Sequence, residues 1–227
     1  MNKEVTGIIL MAGSSTRYNK GYNKNFELIN NKPIFYYSLE VMSKIDNIKE
    51  IILVIKKEEE KVVFDYINSF NLKKEISIAF GGNTRKESVY NALIKSKYPI
   101  VLIHDGARPL IKKRYIDECI SNIGKYQGVI IGIPVKDTIK IINNKNEIVS
   151  STDRKLTYIG QTPQCFIKKV LLACHQKYKN DNDITDDSML LERENIKVKL
   201  LEGSYTNIKI TTKEDYIYIK ELLEEGE

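Results

Sequence analysis

The sequence predicts an α/β protein: a mostly parallel sheet with helices on both faces and a protruding β-hairpin arm. Three observations predict it. Apolar, β-branched segments at 5–11, 50–56, 76–80, 99–104 and 128–134 alternate with stretches of helical period at 33–45, 57–69, 85–97 and 112–124, the pattern of repeated strand–helix crossovers. The strands are apolar nearly throughout rather than at every second residue, as strands covered on both faces are. The alternation then breaks at 135–156, where two alternating segments flank the turn-forming run Asn143-Asn144-Lys145-Asn146 and read as a hairpin.

Each element has its own local warrant. Val5 to Met11 is almost continuously apolar and begins the sheet. Pro33 is placed to start the first helix, and Thr84 with Glu87 makes a capping box for the third, since a Thr hydroxyl and a carboxylate three residues on can satisfy each other's free N–H groups. A two-stranded ribbon is marginal in water, so the arm needs a surface to pack on, and a partner subunit supplies one. A helix near 167–178, a capped helix beginning at Thr185-Asp186-Asp187, a strand at 196–201 and a helix from about 213 to 224 complete the chain. Lys209 is expected in a short β-like segment before that last helix.

At 227 residues, with no internal repeat and no linker, one domain spanning 1–227 is expected. The three cysteines, Cys119, Cys165 and Cys174, are odd in number and have no paired spacing, which fits reduced thiols and a cytoplasmic location better than a disulfide framework or a zinc site. No transmembrane run is present, and MNKEV leads directly into a strand rather than a signal peptide. The net charge of +6 comes from 36 basic and 30 acidic residues. They are dispersed, without the dense basic face that nucleic acid requires; an anionic small substrate accounts for the excess.

Three predicted strands end in small, polar, charged turns. After the first come Ala12-Gly13-Ser14-Ser15-Thr16-Arg17, then Lys24. Small residues let backbone N–H groups approach phosphate oxygens, and Arg and Lys add full charge. A plain connecting turn with two solvated cations accounts for the same residues, and the run is neither a Walker loop nor a dinucleotide G-x-G-x-x-G. After the third comes Gly81-Gly82-Asn83-Thr84-Arg85, a helix start of the kind that binds anions, or a turn with Asn83 in a left-handed conformation. After the fourth comes His104-Asp105-Gly106-Ala107-Arg108-Pro109. Its Asp is placed for a ribose hydroxyl or Mg²⁺, or simply caps the turn and pairs with Arg108. The convergence of three such ends on one sheet edge favours a nucleotide site. For Lys209, a solvated lysine on a strand is the ordinary expectation, and for Arg154 an ion pair at the hairpin end.

The segments LMAGSSTR with Lys24, GGNTRKESV, HDGARPL, PVKDTIK, TDRKL, QTPQCF, ITDDS and EGSYTNIKITTKED together resemble, in order and approximate spacing, the 2-C-methyl-D-erythritol 4-phosphate cytidylyltransferases. The resemblance runs from about Val5 to Leu222. Ribitol-5-phosphate cytidylyltransferases of teichoic-acid synthesis share QTPQ and NIKITT-like segments, but HDGARPL and PVKDTIK are closer to the methylerythritol enzymes. The resemblance implies a Rossmann-like nucleotidyltransferase fold and transfer of a cytidylyl group from CTP to methylerythritol phosphate with release of pyrophosphate. It also implies a divalent cation such as Mg²⁺, and a homodimer whose arm, 135–156, reaches the neighbouring subunit. Carried over residue by residue, it implies that Arg17 and Lys24 stabilise charge at the α-phosphate, and that Arg154 and Lys209 hold the incoming sugar phosphate. Ala12, Gly13, Gly82, Asn83, Ser88, Asp105 and Gly106 then surround the cytidine and triphosphate, with Ser14 and Ser15 in the same loop. Arg108, Thr138 and Thr185 lie near the sugar phosphate, Thr138 and Arg154 coming from the partner's arm.

The chain departs from that family at three places. Ser15 stands where Gly is usual, Asn83 replaces a common Asp, and Lys24 lies between Asn23 and Asn25 rather than between Pro and Gln. A domain that keeps the fold and has lost turnover is the rival reading, and the retention of Arg17, Lys24, Arg154 and Lys209 together counts against it.

Overall fold

A computed structural model of the chain describes residues 3–13, 22–70 and 72–225. In chain order the elements are β1 (Val5–Leu10), a 3₁₀ turn (Lys24–Phe26), the two-residue strands β2 (Leu28–Ile29) and β3 (Lys32–Pro33), and α1 (Ile34–Ser43). There follow β4 (Ile48–Ile55), a second 3₁₀ turn (Lys57–Glu59), α2 (Glu60–Ser69), β5 (Glu75–Phe80), α3 (Arg85–Lys95), β6 (Ile100–Asp105), α4 (Lys113–Asn122) and β7 (Gly128–Pro134). The remainder is β8 (Lys140–Ile142), β9 (Ile148–Ser151), β10 (Tyr158–Ile167), α5 (Lys168–Lys177), α6 (Ser188–Arg193), β11 (Val198–Glu202) and α7 (Lys213–Glu224).

Seven strands form one sheet in the order β11-β7-β10-β6-β1-β4-β5. β1 is parallel to β4 and β6, β4 to β5, and β7 to β11, whereas β10 is antiparallel to both β6 and β7. Strand alternation sends each strand's apolar residues into two separate cores. Ile9, Ile51, Leu53, Ile55 and Leu102 pack with α1, α2 and α4 on one face; Ile8, Ile52, Val54, Val101 and Ile103 pack with α3, α5 and α6 on the other. All ten side chains are fully buried, which is why these strands read as continuous apolar runs. Because β1, β5 and β6 run in one direction, the three glycine-bearing ends do lie along one edge of the sheet.

β10 is an addition to the sequence reading. Its segment, Tyr-Ile-Gly-Gln-Thr-Pro-Gln-Cys-Phe-Ile, carries a proline that argues against a central strand. The ladder to β7 shifts register between Gln161 and Gln164, so the cis Thr162-Pro163 pair sits in a bulge where no proline N–H is needed. Two further expectations are corrected. Residues 207–212 form no strand; Lys209 lies in an irregular extended run held by the bond from Ile210 N to Ala107 O, 2.9 Å. Asn83 is not among the described residues with positive φ, because the turn at 81–84 is fixed instead by side chains.

The hairpin forms as expected. β8 and β9 pair only with each other, and the Asn143 side chain accepts from Lys145 N and Glu147 N at 2.9 and 3.1 Å, with Asn146 at φ 62°. Residues 136–160 are exposed except for half-buried Thr152 and Thr157. At its root, Tyr205 Oη donates to Pro134 O at 2.7 Å and Lys136 Nζ lies 3.9 Å from the Tyr205 ring centroid.

Candidate active site at the carboxyl edge of the sheet

The first strand end is held by paired asparagines. Asn23 and Asn25 are both buried. Asn23 Nδ2 donates to Met11 O (2.7 Å), and Asn25 Nδ2 donates to Asn23 Oδ1 (2.8 Å). Half-buried Lys24 lies between them, in a loop fixed by side chains rather than by proline. Asn25 Oδ1 rests against Gly106, where a Cβ would approach it to 3.0 Å; the tight fit calls for glycine there and puts the Lys24 segment beside the end of β6. Ala12 is half-buried against Gly81 and Gly13 is exposed. Ser14, Ser15 and Arg17 lie outside the described residues.

In the second turn, Thr84 Oγ1 accepts from Glu87 N (3.1 Å), while Glu87 Oε2 accepts from Asn83 N (2.7 Å). The predicted capping box is thus displaced by one residue at its return bond. Ser88 Oγ accepts from Gly82 N and donates to Thr84 O, at 3.1 and 2.9 Å, so this hydroxyl builds the turn. Asn83 and Gly82 are exposed.

The third turn contains the densest charge cluster. Asp105, 7 % exposed, faces Lys209 Nζ at 3.0 Å, Arg108 Nε at 3.5 Å and Arg85 Nε at 4.0 Å. Burial alone would push its carboxyl up; Lys209, Arg85 and Arg108 outweigh burial and hold it well below the ordinary carboxylate range. Arg85 also pairs with fully buried Asp187 (2.7 Å), which faces His175 Nε2 at 3.3 Å. Burial likewise opposes ionisation of Asp187, but Arg85 and His175 prevail and lower its pKa. Lys209, Arg108 and Arg85 thus interleave with Asp105 and Asp187, and Asp186 adds a further carboxylate acting on Arg85, so cations and carboxylates are concentrated at this edge of the sheet.

Beneath Asp105 lies a neutral hydrogen-bond chain. Asp105 N donates to Thr162 Oγ1 (3.1 Å), and His104, fully buried, has Nδ1 2.9 Å from Thr162 Oγ1 and Nε2 3.1 Å from Arg108 O. A carbonyl can only accept, so Nε2 carries the proton and the Thr162 hydroxyl donates to Nδ1. Burial pushes the His104 pKa down to about 4, leaving it neutral at pH 7. Arg108 Nη1 donates to Asn207 O (2.7 Å), and Asn207 Nδ2 donates to Thr162 O (2.9 Å), tying the Lys209 segment to the bulge in β10.

The structure therefore joins Asp105, Gly106, Arg108 and Lys209 directly. The ion-pair expectation for Asp105 and Arg108 holds; the solvated expectation for Lys209 does not, because Asp105 draws it in. Thr185 is exposed, its Oγ1 3.1 Å from Met189 Sδ, two residues before Asp187. Arg154 and Thr138 are on the arm and exposed; Arg154 Nη1 reaches Lys136 O at 3.5 Å. Among the described residues no carboxylate pairs with Arg154 at the hairpin end; neighbouring Asp153 turns its side chain to Lys155 N (2.9 Å). Sequence reasoning missed Arg85, His104, Thr162, Asp187 and Asn207 as members of the site. Arg85 and Asp187 were visible within GGNTRKESV and ITDDS, whereas Thr162 depends on the bulge.

Comparison with known proteins places the chain in a defined class. The structure of 4-diphosphocytidyl-2C-methyl-D-erythritol synthase from Anaerococcus prevotii superposes with a TM-score of 0.87 at 33% identity, covering 99% of this chain and 100% of that one. A Thermus thermophilus 2-C-methyl-D-erythritol 4-phosphate cytidylyltransferase shares the fold at a TM-score of 0.77 and 22% identity, covering 97% and 99%. The fold is that of the α/β nucleotidyltransferases. Curated proteins called 2-C-methyl-D-erythritol 4-phosphate cytidylyltransferase match at 42% identity in Clostridium botulinum (96% of each chain) and 43% in Caldanaerobacter subterraneus (94% and 96%). The family model of that description matches residues 5–225, and the chain belongs to the 2-C-methyl-D-erythritol 4-phosphate cytidylyltransferase family.

Proposed function

We propose that the protein makes 4-diphosphocytidyl-2-C-methyl-D-erythritol and pyrophosphate from CTP and 2-C-methyl-D-erythritol 4-phosphate, a step of non-mevalonate isoprenoid precursor synthesis. The observation that carries this is the juxtaposition of two cationic groups at adjacent strand ends. Lys24 sits in the segment stapled to the end of β1, and Lys209, Arg108 and Arg85 surround Asp105 at the end of β6. A phosphate oxygen of the sugar phosphate attacks the α-phosphorus of CTP; a new P–O bond forms as the bond to pyrophosphate breaks. A phosphate monoester has its second pKa near ~6 and is mostly dianionic at neutral pH, so no general base is needed. Positioning and charge stabilisation then carry the reaction.

In this reading Arg17 and Lys24 meet the charge developing at the α-phosphate. Ala12, Gly13, Ser14, Ser15, Gly82, Asn83, Ser88 and Gly106 shape the CTP site; Lys209, Arg108 and Thr185, with Arg154 and Thr138 of a second subunit, hold the sugar phosphate. Among the described residues no three carboxylate, histidine or cysteine ligands cluster. Mg²⁺ keeps its waters and takes one or two carboxylates plus phosphates; Asp105 would be the carboxylate to hold it. When bound, the cation neutralises triphosphate charge. The protein acts as one nucleotidyltransferase domain and, through the arm at 135–156, as a homodimer: six apolar residues of the arm, Ile139, Ile141, Ile142, Ile148, Val149 and Leu156, and two just beyond it, Tyr158 and Ile159, are each at least 40 % exposed. Buried, unpaired Cys119, Cys165 and Cys174 support a cytoplasmic setting. Among the described residues no helix is long and apolar enough to cross a membrane.

Pyrophosphate release with CTP, Mg²⁺ and a panel of polyol phosphates tests the assignment. Release with methylerythritol phosphate far above that with ribitol phosphate is expected; the reverse order, or no release with any, refutes it.

A further inference from the structure

We propose that Glu59 is a positioning residue for Lys24, acting through Asn23. The inference deepens the reading above, since it rests on Lys24 acting at the α-phosphate. Glu59 ends the 3₁₀ turn that follows β4, and the residue is 9 % exposed. One oxygen, Oε2, accepts from Lys56 N (3.0 Å) and so is fixed to its own turn; the other, Oε1, accepts from Asn23 Nδ2 (2.9 Å), 36 residues earlier in the chain.

The Asn23 side-chain amide uses every hydrogen-bonding position it has. Nδ2 donates to Glu59 Oε1 and Met11 O, and Oδ1 accepts from Asn25 N (3.1 Å) and Asn25 Nδ2 (2.8 Å). These bonds leave a single orientation for the amide, because the reversed one would set its NH₂ against two donors and its oxygen against a carboxylate and a carbonyl. Asn25 Nδ2 also reaches Met11 O at 3.3 Å. The residues on both sides of Lys24 are thereby joined to the ends of β1 and β4, and Phe26 anchors the next position against Phe35 and Tyr66, with ring centroids 6.0 and 6.3 Å apart. Neither Asn23 nor Asn25 has a ring to restrict its own φ, so the fixity of this segment comes from outside it. Glu59 is the acceptor that links Asn23 to the sheet beyond β1. Without that carboxylate, one amide proton of Asn23 loses its partner in a buried setting, the staple can rotate, and the backbone bearing Lys24 shifts with it. Displacement of a catalytic group by about 1 Å is enough to cost on the order of 10²-fold in rate.

Steady-state turnover of CTP with methylerythritol phosphate is measured for Glu59→Ala, Glu59→Gln, Asn23→Ala, the Glu59→Ala/Asn23→Ala double variant and Lys24→Ala, each well below its own melting temperature. Glu59→Ala is expected to lower kcat roughly tenfold to a hundredfold with KM for CTP within about twofold. Glu59→Gln should recover most of that loss, because its amide oxygen still accepts from Asn23 even though the bond to Lys56 N is gone. The double variant should be no slower than Asn23→Ala alone. Unchanged kcat in Glu59→Ala, equal damage by Gln and Ala, or losses that multiply in the double variant would overturn the positioning role. Should Glu59→Ala fail to fold, Asn23→Ala decides: wild-type kcat there overturns it as well. Wild-type turnover in Lys24→Ala would instead remove the role of Lys24 itself, whereas an inactive Lys24→Ala beside a fully active Glu59→Ala removes only that of Glu59.

Discussion

The turn after β6 and the hairpin arm both carry residues assigned to the sugar phosphate, yet they are built in opposite ways. Asp105, Arg108 and Lys209 sit on two apolar cores and are bound to one another, to Arg85 and to the Thr162–His104 chain. Arg154 and Thr138 lie on a two-stranded ribbon with no apolar layer of its own. Charge can be held rigidly and partly desolvated in the first region, where interactions are strong and their loss is costly. In the second, a residue gains defined position only when something else covers the ribbon. Under the proposed function, one half of the site would be made by folding and the other by association.

The contrast is broken most severely at Asp105. Asp105→Ala leaves Lys209, Arg108 and Arg85 sharing a buried edge without their common carboxylate. A loss of about 3–5 kcal/mol in unfolding free energy, read from urea denaturation, is expected together with loss of turnover; a wild-type midpoint would show that solvent already screens the cluster. Lys24→Ala tests chemistry without that structural burden. Turnover should fall ~10²–10³-fold with the circular dichroism spectrum and melting temperature little changed, and Arg17→Ala should behave alike.

For the arm the order reverses, with association affected before stability. Ile141→Glu combined with Ile148→Glu should convert a dimer to monomers in sedimentation and abolish activity, while each subunit keeps its melting transition. A single Arg154→Ala change should raise KM for the sugar phosphate by roughly tenfold or more, the weight of a lost charge-assisted hydrogen bond, and alter stability by less than about 0.5 kcal/mol. An effect confined to CTP would move Arg154 to the other half of the site.

A further effect, confined to acid pH, concerns His104. His104 has its folded pKa lowered from 6.5 to about 4, so the unfolded chain binds the extra proton first on acidification. Its contribution is complete above pH 6.5 and is lost as pH falls towards 4, to a limit of about 3 kcal/mol. Asp105, with its pKa depressed, adds a second loss that begins as pH falls through the ordinary carboxylate range, where the unfolded chain takes up its proton, and continues below it. Melting temperature against pH should therefore slope between 6.5 and 4 in the wild type and flatten there in His104→Gln. An equal slope in both would place the acid sensitivity elsewhere.

Much of this was legible in the residues. Apolar β-branched runs ending in Ala12-Gly13, Gly81-Gly82 and Asp105-Gly106 located the sheet, its direction and the edge that these turns share, because periodicity and small residues act locally. The turn-forming asparagines located the arm for the same reason. β10 escaped because its proline contradicts a strand until the bulge at Thr162 is seen. Arg85, Asp187 and the Glu59–Asn23 link escaped because each joins residues far apart in sequence.

Sequence by itself determined the alternating elements, the charged strand ends and the family, since each is written in neighbouring residues or in ordered motifs. Only the tertiary structure decided that Lys209 faces Asp105 rather than solvent, that His104 is neutral, and that asparagines and a buried glutamate fix the Lys24 segment. Those outcomes depend on which distant groups share a buried space, where the energy of an ion or a hydrogen bond is set by its partners and its loss of water rather than by residue type.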